Sequence, residues 1–177
     1  MKRLVAYLFG ALALVSCGPS GISPADTAEL RNMWRANMVP KSTPYELVRA
    51  FDRFCTNGPR DADAAETKLR DAGYVPLPRK ARGVTAYVID NRNPAVAVST
   101  DTCLIQADSR SGQTRDFQNY VAKTYPKARA IDPKPLGKNI EQAWSVLSNP
   151  PAIIATERTE SFGWYRYALI LYHPGAT

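Results

Sequence analysis

Three cysteines, Cys17, Cys55 and Cys103, and one histidine, His173, are the residues of this 177-residue chain best suited to covalent or acid–base chemistry. A single imidazole beside Pro174, near the C-terminus, gives a Ser-His-Asp relay or a multi-histidine metal centre almost nothing to be built from. No nucleophile elbow, zincin helix or phosphate-binding glycine loop is present, and the cysteines lack the close spacing of a redox pair. Catalysis would fall to carboxylates, which are plentiful at 16 and which glycosidases use in pairs. Asp61, Asp63 and Glu66 sit close together, but without the central glycine of a calcium loop they read as acids complementing a helix N-terminus. These residues imply no cofactor and no metal. Two groups of cations stand out instead: Arg79, Lys80 and Arg82, and then Lys123, Lys127, Arg129, Lys134 and Lys138, with Tyr120 and Tyr125 interleaved. They read either as a surface for an anionic partner or as a solvated basic face.

The chemistry of Cys17 depends on what precedes it. Lys2 and Arg3 are followed by an uncharged apolar run from Leu4 to Val15, the layout of an export signal, and one shorter than the roughly 20 residues a spanning helix needs. Leu14-Val15-Ser16-Cys17 at its end resembles the lipobox of bacterial lipoproteins. The resemblance implies cleavage between Ser16 and Cys17, diacylglycerol on the Cys17 thiol and a further acyl chain, such as palmitate, on its amino group. Two acyl chains already anchor stably, at about 0.8 kcal/mol per buried methylene. Gly18 in place of Asp after the cysteine resembles the outer-membrane sorting pattern of Gram-negative lipoproteins. Cleavage after Ala13, giving simple secretion, and an uncleaved anchor are the competing readings.

If Cys17 carries lipid, Cys55 and Cys103 remain as an even pair in an oxidising envelope compartment, which reads as one disulfide. Cleavage after Ala13 would instead leave an odd thiol. The bridge closes a loop worth roughly 4 kcal/mol in the chain-entropy account. Removing residues 1–16 takes away two basic residues and no acidic ones, so 21 basic against 16 acidic leave a charge of +5. The 161 residues from Cys17 onward suit one domain.

Residues 17–23, small and turn-rich, read as a lipidated tether, and residues 24–177 as one periplasmic domain with no internal repeat. Ser23-Pro24 looks like a helix start, with Leu30, Met33, Trp34 and Met38 on one face up to Pro40. Thr43-Pro44-Tyr45-Glu46 is a capping box with proline at the first position, followed by Leu47, Val48, Phe51, Phe54 and Cys55 at helical spacing. Asp61 can cap a helix that Gly73 ends.

From Tyr74 the pattern changes to short β-favouring runs: Tyr74 to Leu77, Val84 to Asp90, Ala95 to Thr100 and Cys103 to Asp108. They read as an antiparallel meander against which Cys103 pins the Cys55 helix. A helix from about Thr114 to Tyr125 follows, then a Pro- and Lys-rich loop. Ile140, Ala143, Trp144 and Leu147 suggest one more short helix, and Ala152 to Arg158 with Trp164 to Tyr172 a final hairpin. The second of these runs, apolar on both faces, suits a buried central strand.

The expectation is an α+β single domain: an antiparallel sheet of about five to six strands, four to five helices and one disulfide. Functionally, it is a membrane-anchored outer-membrane lipoprotein facing the periplasm, acting as a non-catalytic binding or assembly module. Its partner would be another envelope protein or an anionic component such as lipopolysaccharide, phospholipid headgroups or peptidoglycan stems, and the compartment argues against nucleic acid. A carboxylate-dependent envelope hydrolase and an inhibitor or immunity-type lipoprotein are the alternatives.

Overall fold

The computed structural model describes residues 22–81, 84–109, 113–161 and 163–174. The signal segment, Cys17, the tether up to residue 21 and Arg82 lie outside the described residues. Helix α1 (Pro24–Asn32) starts where Ser23 Oγ accepts the Asp26 N–H at 3.0 Å. It ends early. Met33 and Trp34 are extended, with ψ of 137° and 119°, before the short α2 (Arg35–Met38). Successive side chains of an extended segment point opposite ways, so Met33 turns inward while Trp34 stays 67% exposed. Leu30, Met33 and Met38 share one cluster as expected, but Trp34, expected beside them, does not.

Helix α3 (Pro44–Phe51) carries the expected capping box between Thr43 and Glu46. It runs on into a π-helical turn, Asp52–Thr56, that buries Phe54 and Cys55. Asp61 then caps α4 (Ala62–Asp71) by accepting the Ala64 N–H at 2.9 Å. Gly73, at φ +84°, releases the chain into the sheet, a conformation that glycine adopts without strain.

Eight strands follow, not five to six: β1 (Val75–Ala81), β2 (Val84–Val88), β3 (Ala95–Val98), β4 (Thr102–Ser109), β5 (Arg129–Ile131), β6 (Ile140–Val146), β7 (Ala152–Ser161) and β8 (Trp164–Tyr172). Helix α5 (Thr114–Thr124) separates the first four from the last four. All neighbours pair antiparallel, in the order β1-β2-β3-β4-β8-β7-β6-β5. Each half is therefore a helical segment, α1 to α4 in the first and α5 in the second, followed by a four-stranded meander, and β4 against β8 joins them. The topology repeats although the sequence does not.

The segment read as a helix over Ile140 to Leu147 is strand β6. Its apolar residues satisfy either period over so short a run, and two neighbours decide: Trp144 pairs with Ala130 of β5 and Ile154 of β7. Burying Ala143 and Val146 on opposite faces is what an interior strand needs. Strand β8 is central, as its two apolar faces suggested.

One face of the sheet carries the main core. Leu47, Phe51 and Phe54 of α3 and its continuation, Leu69 of α4 and Phe117 and Val121 of α5 pack against Tyr87, Val96, Ile105, Ile154, Tyr167 and Leu169. The Cys55–Cys103 disulfide, with Cα atoms 5.4 Å apart, ties this helical layer to β4. On the opposite face, Met33 meets Val75 and Val88. Arg70 of α4 donates to both Asp26 oxygens, at 2.6 and 3.0 Å, and so clamps α1 to α4. No helix among the described residues is long and apolar enough to cross a membrane.

Candidate binding groove

The two groups of cations are not one surface. Arg79 and Lys80 belong to β1 and Arg129 to β5, the first and last strands of the sheet. At about 4.8 Å per strand spacing, seven spacings separate them by on the order of 30 Å along the sheet. The second group belongs to the stretch of chain that lines a concavity through its neighbours Ala122, Pro126, Ala128, Ala130 and Pro133. Lys123 lies in the last turn of α5, Lys127 just beyond it, Arg129 on β5, Lys134 in the 3₁₀ turn Lys134–Leu136 and Lys138 in the loop before β6, all exposed.

Between α5 and the β5–β6 edge runs a cleft of about 560 Å³. Phe117 and Val121, almost fully buried, hold α5 on the sheet, and the next positions along that helix, Gln118 and Ala122, form one wall with Tyr125 at its end. Trp144 and Gln142 of β6 and Ala130 and Ile131 of β5 form the other. Because β5 is the last strand in the order, its outer backbone edge has no strand partner among the described residues. Exposed edges of this kind are templates for pairing with another extended chain.

Tyrosine packing from below fixes the groove's wall. The Tyr125 hydroxyl is hydrogen-bonded to Thr56 Oγ1 at 3.2 Å, and its ring meets Tyr120 edge-on at 6.4 Å. Tyr120 in turn donates to the Asp52 carboxylate. Burial, and then that hydrogen bond, push the Tyr120 phenol well above its ordinary range, so it stays a donor. Asp52 and Thr56 both come from the π-helical turn, whose extra residue per turn brings them under α5.

The electrostatics of the groove are one-sided. Glu141, the acid that lines it, is neutralised at 2.9 Å by Arg158 and accepts the Thr114 hydroxyl at 2.7 Å. Asp132, just before the 3₁₀ turn, accepts the Lys134 N–H at 3.1 Å. None of these five cations is in an ion pair among the described residues. Gln142, on the groove wall, has a buried Oε1 with no hydrogen-bond partner among the described residues.

The carboxylates and hydroxyls that were other candidates for chemistry are held in structural bonds, and His173 is half-buried. Ser99 and Thr102 hydroxyls donate to Asp101 Oδ1 at 2.7 and 2.9 Å, which holds the Asp101 carboxyl below its usual range. His173 donates its backbone N–H to the Asp101 carbonyl at 2.8 Å. Burial first, and Arg60 second, lower its imidazole pKa, and its buried Nδ1 has no partner. It lines a small cavity of about 70 Å³ over the disulfide, and its neighbour Ser99 is committed to the turn. Among the carboxylates, Asp26 and Glu66 are brought together, but Arg70 bridges them at 2.6 and 2.7 Å instead of a cleft separating them. Among the described residues no cluster of His, Cys, Asp and Glu could hold a metal ion.

Sequence reasoning singled out the five cations and Tyr125 but not the other walls of the groove. With β5 hidden in a Pro- and Lys-rich loop and β6 taken for a helix, Trp144 and Gln142 had no place beside α5. The one available signal was the isolation of Arg129-Ala130-Ile131 between Pro126 and Pro133, and three residues are too few to assert a strand from propensity. No protein-family model matches the chain, and neither a curated protein nor a solved structure matches it.

Proposed function

We propose that the protein is a membrane-anchored lipoprotein of the bacterial envelope, held by lipid on Cys17 and facing the periplasm. Its α+β domain acts as a non-catalytic binding module through the groove between α5 and β5. The occupant is an acidic, extended segment of an envelope polypeptide. An exposed edge strand beside a trough of mixed polar and apolar lining favours a polypeptide, because an added strand gains main-chain hydrogen bonds while alternate side chains enter the trough. The observation that carries the reading is the exposed set Lys123, Lys127, Arg129, Lys134 and Lys138, unpaired among the described residues and, except for Lys138, directly adjacent in sequence to residues lining a groove whose own acid is ion-paired. Complementary charge raises the association rate and rejects basic competitors.

Binding of a fluorescein-labelled peptide of alternating Glu and Val tests the groove. It should bind saturably, weaken with rising salt, and lose about tenfold or more in affinity in the Lys123→Glu, Lys127→Glu, Arg129→Glu variant. The matching Lys-Val peptide should not bind. Equal affinity for both peptides, or indifference to the charge reversal, sinks the groove as the binding surface. The anchor is tested separately: a Cys17→Ser variant should leave the membrane fraction, and its retention there would show that something other than lipid holds the protein.

A further inference from the structure

We infer that the corner where α1 meets α2 rests on the bilayer surface, with Trp34 in the headgroup region and Arg31 and Arg35 beside it; the inference rests on the lipid anchor proposed at Cys17. Trp34 is 67% exposed, the largest apolar side chain among the exposed ones. It is a side of a hollow of about 450 Å³ lined also by Ile22, Leu30, Arg31 and Arg35. Tryptophan with a wet edge and an apolar body, flanked by arginines, is the residue pattern that settles at a membrane–water boundary. The acid on the inner side of α1, Asp26, is already neutralised by Arg70, which leaves Glu29 as the acid opposing the two arginines in α1 and α2.

Tether length decides the occupant. Five residues carry the chain from Cys17 to Ile22, at most about 18 Å when fully extended. A compact domain of this size has a radius of gyration of about 15 Å, so its full width exceeds the tether. The part of the domain that holds Ile22 must face the membrane, and Ile22 lines the hollow that Trp34 borders. Because the lipid makes docking of this corner intramolecular, a weak interfacial affinity is enough to hold it. Helix α1 packs on β1, whereas the groove follows β5 at the other edge of the sheet. Docking at Trp34 therefore holds the groove away from the lipid, open to the periplasm.

The test is depth-dependent fluorescence quenching on the full-length lipidated protein in phosphatidylethanolamine vesicles with a minority of phosphatidylglycerol and lipids brominated at different acyl positions. Bromines near the headgroups should quench most, and the quenching should fall several-fold in Trp34→Phe, because Trp144 and Trp164 are half-buried in the fold. Arg31→Glu with Arg35→Glu should reduce it with all three tryptophans present. Co-sedimentation with vesicles but identical quenching in Trp34→Phe would overturn the docked corner and leave the anchor standing. Failure to co-sediment at all would overturn the anchor and the inference together.

Discussion

Replacing Asp26 with Asn keeps the shape of the side chain and removes the charge that clamps α1 to α4. In the native fold the carboxylate accepts two bonds from Arg70 and one, at 2.8 Å, from the Ser23 hydroxyl, with only 6% of its side chain exposed. The Arg70 hydrogen bond leads the effects that draw its pKa from 3.8 to about 2. At about 1.4 kcal/mol per tenfold, that corresponds to on the order of 2–3 kcal/mol. Arg70 is 40% exposed, and solvent screening of its charge lowers the expectation to about 1–2 kcal/mol, or roughly 2–8 °C in melting temperature. A depressed carboxyl stabilises the fold fully above its unfolded pKa, and that stability is lost as pH falls from about 4 through 2. Urea titrations of wild type and Asp26→Asn should therefore differ by this amount at pH 7, and the gap should close as pH falls towards 2. Equal stability at pH 7, or a gap unchanged at low pH, would refute the clamp.

The other tests reach different layers. Cys55→Ala with Cys103→Ala should destabilise by about 2–4 kcal/mol, since the bridge closes a loop with a sequence separation of 48 and mainly restricts the unfolded chain; reductant should shift the wild-type urea midpoint and leave the double variant unmoved. Tyr120→Phe removes the bond to Asp52 and should cost about 1 kcal/mol of stability in urea titration. By loosening Tyr125 it should also weaken the Glu-Val peptide several-fold, whereas a purely structural role would leave that affinity unchanged.

Local chemistry was legible along the chain. Ser23, Thr43 with Glu46, and Asp61 each announce a helix because a cap needs only a side-chain oxygen within three residues, and each is used as read. The Cys55 and Cys103 pairing followed from counting, and the central place of β8 from its two apolar faces. What failed depended on distant partners. Ile140 to Val146 becomes a strand because β5 and β7 flank it, and the strand count was low for the same reason, with β5 unrecognised. Trp34 was placed in a continuous helix, and the extended backbone at Met33 reverses its direction. The cations were visible, but only the strand order separates Arg79 and Lys80 from the stretch Lys123 to Lys138, whose neighbouring residues line the groove.

Photocrosslinking in intact cells tests the central claim most directly, with p-benzoylphenylalanine placed at Ala130 on the groove or at Ala64, exposed on α4. The Ala130 position should give one dominant adduct with an acidic envelope polypeptide, abolished by Lys123→Glu, Lys127→Glu and Arg129→Glu, while Ala64 gives none. Adducts equal at the two positions, or undiminished by the charge reversal, would contradict a cationic edge groove as the site of binding.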